Sequence, residues 1–111
     1  MRKYYIVTRA DLSDNGHFME PTRVFQDDDG NTELYINAEE ARESLAKDVA
    51  EMCKDGKEFA LNDEAEVHFE TWKEVYEYVM KNLKPEAYQM VEVIRGVYGS
   101  KRCYTINSIT I

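Results

Sequence analysis

TWKEVYEYVMKNL, residues 71–83, places Trp72, Val75, Tyr76, Val79, Met80 and Leu83 at spacings of three and four. On a helix of 3.6 residues per turn those positions form one apolar stripe, with Lys73, Glu74, Glu77, Lys81 and Asn82 on the wet face. Thr71 and Glu74 fit the S/T-x-x-E capping box, in which each side chain takes up an unpaired amide of the first turn. Pro85 ends the element, because a residue preceding proline is driven out of the α region. The only tryptophan of the chain lies on this stripe, so the helix is expected to be the spine of the core.

On the N-terminal side, in FALNDEAEVHFE (59–70), Ala65, Val67 and Phe69 alternate with Glu66, His68 and Glu70. That period of two suggests a short strand leading into the helix. On the C-terminal side, residues 88–98 and 101–111 read as a hairpin around a two-residue turn at Gly99-Ser100, with Tyr98 opposite Lys101. One face then holds Tyr88, Met90, Glu92, Ile94, Cys103, Thr105, Asn107, Ile109 and Ile111. The other holds Val91, Val93, Arg95, Val97, Arg102, Tyr104 and Ile106.

Further upstream a second helix, Ala38–Lys54, is capped by Asn37 and carries Ala38, Ala41, Leu45, Val49, Met52 and Cys53 as its apolar stripe. Glu40 stands in capping-box position, Glu43 and Lys47 form an i, i+4 pair, and Gly56 suits a left-handed stop. Lys3–Arg9 is rich in Tyr, Ile, Val and Thr and reads as a first strand, followed by a loop through Asn15-Gly16. Thr22–Gln26 and Glu33–Ile36 read as a hairpin around the polar tip Asp27–Asn31. Strands and helices do not alternate regularly, which argues against a doubly wound parallel sheet. The expectation is one α+β domain, residues 1–111, with two amphipathic helices packed on one face of a mainly antiparallel sheet.

Charge narrows the function classes. The chain has a net charge of −8, and its middle, residues 11–70, carries 18 acids against five bases. Direct binding to nucleic acid or to an anionic membrane surface requires clustered Lys and Arg and is not expected. The apolar run Tyr4–Val7 is too short for a signal peptide, and no run approaches a membrane span, so the cytoplasm is the default compartment. Cys53 and Cys103 are then expected to stay as thiols that fill space.

Several residues invite sharper chemistry. Aligning Gly30 with the glycine of a calcium loop puts Phe25 and Ile36 where oxygen donors belong, so Asp27–Asn31 reads as a turn. His68 and Glu70 have the H-x-E spacing of facial-triad iron sites; with Glu66 and His17 they are the residues of an alternative metal-dependent enzyme. With only two histidines and abundant glutamate this spacing arises easily by chance, so no metal or cofactor is expected; with no nucleophile–base pair or glycine-rich phosphate loop either, no enzyme is expected. Arg102 could lower the thiol pKa of Cys103, and Glu92 among apolar neighbours reads as a buried acid or as a partner of Asn107.

The favoured reading is a small acidic, non-enzymatic protein-binding module. Asp27, Asp28, Asp29, Glu39, Glu40, Glu43, Asp48, Glu66 and Glu70, with Tyr78 standing off its helix stripe, would meet a basic surface on another protein. Where that surface ordinarily holds nucleic acid, the module would be an inhibitor that mimics DNA. Small acidic phage inhibitors of restriction and CRISPR nucleases work in this way, a comparison by class with no shared motif. The same acid excess also serves solubility, and composition does not separate the two. A third reading is a structural protein that forms a homodimer through the C-terminal hairpin, with Val91, Val93, Val97 and Ile106 as the contact.

Overall fold

The computed structural model describes residues 2–12, 22–54, 57–85, 88–95 and 98–111. Its centre is the pairing of β1 (Lys3–Leu12) with β6 (Tyr98–Thr110), antiparallel from Lys3 opposite Thr110 to Leu12 opposite Lys101. With β2 (Arg23–Val24), β3 (Glu58–Leu61), β4 (Val67–His68) and β5 (Tyr88–Arg95) they form one six-stranded sheet, ordered β2-β1-β6-β5-β3-β4. Every pair is antiparallel. Helices α1 (Ala38–Met52) and α2 (Trp72–Asn82) pack on the sheet and each other, giving the expected α+β arrangement.

Alternation along the strands turns Val7, Phe59, Leu61, Val91, Val93 and Tyr104 toward the helices, and all six are fully buried. Helix α1 answers with Ala41, Leu45, Ala46, Val49, Ala50 and Met52. Its small side chains let the backbone lie close to the sheet. Asn37 caps it, Oδ1 accepting from the Glu40 amide at 2.9 Å, and Cys53 ends it slightly before the expected Lys54. Gly56 lies outside the described residues, as do Asn15 and Gly16.

Helix α2 is more weakly held than its stripe promised. Among its residues only Val75 and Val79 are buried, and Trp72 is 66% exposed, with its ring meeting Tyr76 edge-on at 6.5 Å. The helix is rotated so that Tyr78 turns inward onto Phe59, ring centres 5.5 Å apart, while the first turn overhangs. The spine of the core is therefore α1, and Tyr78 is a half-buried packing residue rather than one standing clear of the core. The cap forms as expected, the Thr71 hydroxyl accepting from the Glu74 amide at 3.3 Å. The Glu74 carboxylate reaches one residue past the capping-box partner, to the Glu70 amide at 2.7 Å. At the far end, Arg42 of α1 donates to the Met80 carbonyl at 3.4 Å, so the helices run antiparallel.

The C-terminal hairpin forms in a different register. Arg95 stands opposite Tyr98, Gly99 and Ser100 lie within β6, and Glu92 faces Lys101 instead of Asn107. The two registers differ by an even number of positions, so the division into faces survives the slip. It also settles which face is covered. Val91 and Val93 are buried beneath the helices and Ile106 packs against the core, so they cannot form the dimer contact suggested for them; Val97 lies outside the described residues. The opposite face, with Ile6, Thr8, Met90, Glu92, Ile94 and Cys103, is half-buried, and no helix among the described residues covers it.

The N-terminal hairpin is only partly formed. Gln26 bridges Thr32 near the tip, but both arms also lie along the edge of β1, Val24 opposite Thr8 and Tyr35 opposite Tyr5. At the tip Asp27 Oδ1 accepts from the amides of Asp29 at 2.9 Å and Asn31 at 3.0 Å. Gly30 takes the left-handed φ of 83° that glycine tolerates. Strand β3 was not expected. It ends in a tight turn with φ of 56° at Asn62 and 61° at Asp63, the left-handed pair that Asn and Asp accept best after glycine.

Candidate functional site

The acidic residues fall into three situations. Asp28, Asp29, Glu39, Glu40 and Glu66 are exposed and Glu43 is half-buried, and none of these six enters an ion pair among the described residues. Asp27 is partly consumed by its own turn. Glu43 and Glu39 lie close enough to Tyr76 of α2 that, after burial, their charge helps raise its hydroxyl pKa. The expected Glu43–Lys47 pair is not formed, and Lys47 instead borders a cleft between the helices.

Asp48 does not stand on the outer face of α1. It turns inward onto the sheet, and its side chain is 23% exposed. Its carboxylate accepts from Arg9 at 3.2 Å, from Arg102 at 3.3 Å and from the Tyr104 hydroxyl at 2.6 Å. Arg102 also donates from Nε to Asp11 at 2.8 Å. Tyr104 is fully buried, which pushes its hydroxyl pKa well up, and Asp48 pushes it further. This is a cross-brace from α1 to β1 and β6. Helical periodicity assigns Asp48 to the outer acidic face of α1, and sequence spacing could not show that two arginines and a tyrosine converge on it from strands far away in the chain.

The β4 end of the sheet brings His68 and Glu70 together, Nε2 to Oε1 at 2.7 Å, with Lys57 Nζ at 3.6 Å from the other carboxylate oxygen. The His68 hydrogen bond, then Lys57, holds the Glu70 carboxyl below its usual range. Glu66 is exposed and His17 lies outside the described residues; among the described residues no cluster of metal-ligating side chains forms. Cys103 is half-buried, and burial raises its thiol pKa, the opposite of the lowering that Arg102 could have produced.

One feature was missed altogether. A cleft of about 710 Å³ opens where the C-terminal half of α1 passes the start of α2. Lys47, Lys54 and Lys57 stand at its walls with Glu51 and Glu70, Ala50, Cys53 and Phe69 line it, and Thr71 and Trp72 complete it. Once Trp72 is taken for a core residue, nothing in the sequence points to this space.

No known protein family, curated protein or solved structure matches the chain. The fold and side-chain geometry are therefore the basis for a functional reading.

Proposed function

We propose that the protein is a small, non-enzymatic binding module that presents carboxylates to a basic surface on a partner protein. The observation that carries this reading is the segregation of charge. Arg9 and Arg102 are drawn into the Asp48 and Asp11 network and Arg42 into the end of α2, while Asp28, Asp29, Glu39, Glu40, Glu43 and Glu66 enter no ion pair among the described residues. In a chain of net charge −8, unneutralised carboxylates repel one another and lower stability, yet they raise the association rate with a cationic surface. A partner surface that normally holds nucleic acid would make the module a phosphate mimic and an inhibitor.

Affinity capture from a lysate followed by mass spectrometry identifies the partner, and the decisive measurements follow on the purified pair. Affinity is expected to fall steeply as salt rises, because exposed charges are screened within about 8 Å at physiological ionic strength. Glu39→Lys combined with Glu43→Lys is expected to weaken binding further by slowing association. An affinity indifferent to both salt and charge reversal would reject the electrostatic reading in favour of apolar contact.

A further inference from the structure

The cleft between α1 and α2 combines features that the acidic surface around it lacks. Among the described residues three lysines border it, beside two acids, in a protein of net charge −8. Of those acids, Glu70 is already engaged by His68 and Lys57. Lys47 and Lys54 enter no ion pair among the described residues. Lys47 and Lys54 thus offer two ammonium groups at a cleft whose described walls run against the acidic trend of the whole molecule.

Its second feature is Trp72. Burying such a side chain removes roughly 150–250 Å² from water, and leaving it out forgoes several kcal/mol. Here the ring is 66% exposed and touches the protein by an edge contact to Tyr76, leaving the indole available beside a cavity. The cavity stays open because Ala50 and Cys53 on the last turns of α1 are too small to fill it, while Phe69 is held away by Phe59, ring centres 5.7 Å apart. An indole face stacks flat rings at about 1–3 kcal/mol each, and an ammonium group alongside attracts an anion attached to the ring.

We propose that this cleft binds a small molecule in which a planar ring is joined to an anionic group, the ring stacking on Trp72 and the anion meeting Lys47 and Lys54. Two sources share that chemistry, a nucleoside monophosphate and an aromatic carboxylate. The helix order brings the parts together: Lys47 lies on α1 and Lys54 in the turn just after it, and the Thr71 cap sets the first turn of α2, which places Trp72 at the same cleft.

Because Trp72 is the only tryptophan in the chain, its fluorescence reports on this cleft alone. The full-length protein is titrated with adenosine monophosphate, 2-naphthoate, inorganic phosphate and adenosine. Saturable quenching is expected from at least one of the first two, at least about tenfold tighter than from phosphate or adenosine alone, equivalent to about 1.4 kcal/mol. Whichever ring-bearing anion binds tighter identifies the source. Lys47→Gln with Lys54→Gln, two exposed positions, should abolish saturation while leaving the far-ultraviolet circular dichroism unchanged. Calorimetry on Trp72→Ala should show the same loss without relying on fluorescence. No saturation by either ring-bearing anion, equal binding of phosphate alone, or unchanged binding in the double lysine variant would overturn the proposal.

Discussion

Asp48 receives three donors while part of its side chain still meets water, which makes it the residue most exposed to loss of any one partner. Removing the Tyr104 hydroxyl as Tyr104→Phe deletes a bond to a charged acceptor and is expected to cost about 1–2 kcal/mol in urea denaturation. Asp48→Ala should cost more, because it leaves Arg9 and Arg102 half-buried without that carboxylate. The same tyrosine dictates behaviour at high pH. An unfolded tyrosine loses its proton near pH 10, whereas burial and Asp48 keep Tyr104 protonated well beyond that. Above about pH 10 the unfolded chain therefore binds fewer protons than the folded one, and stability falls as pH rises. Urea midpoints between pH 8 and 11 should show this decline, and Tyr104→Phe should flatten it.

At the scale of elements, the division of labour between the helices is directly testable. Leu45→Ala empties a fully buried site on α1 and is expected to cost about 2–5 kcal/mol. Trp72→Ala removes a larger side chain from α2 but should cost less than about 1 kcal/mol, since the ring is mostly in water. Equal losses at the two positions, measured by chemical denaturation, would mean that α2 is held through Trp72 after all. This contrast marks the limit of what periodicity reveals. The stripes, both caps and the stop at Pro85 were legible because each depends on neighbours within one or two turns. The rotation of α2 was not, because a stripe broad enough to include Tyr76 and Met80 fits more than one facing, and contact with Phe59 chose between them. The hairpin slip has a similar cause: glycine occurs at both 96 and 99, and both registers preserve the alternation of faces. Strand β3 escaped notice because four residues, Glu58–Leu61, are too few to display a period. In the same hairpin, Lys101→Glu would set like charges opposite at Glu92 and should cost about 0.2–1 kcal/mol, restored by Glu92→Lys.

For the whole molecule, the unpaired acids predict opposite responses to salt. Screening relieves their mutual repulsion, so the melting temperature of the isolated protein should rise between low and moderate sodium chloride, while affinity for a basic partner falls. A melting temperature that falls instead would show that the Asp48 network outweighs the surface field. The pairing of β1 with β6 has a consequence of another kind. These central strands come from opposite ends of the described chain, and every other strand is added outward from them. During synthesis β1 can pair early along one edge, with β2 and with Tyr35, but its long partner on the other edge, β6, is made after every other strand. The helices can form in the meantime, but the surface that covers them cannot. Closure of the sheet must therefore wait for β6, and a nascent chain arrested before Tyr98 should remain sensitive to protease, whereas a chain extended through Thr110 should gain protection in a single step.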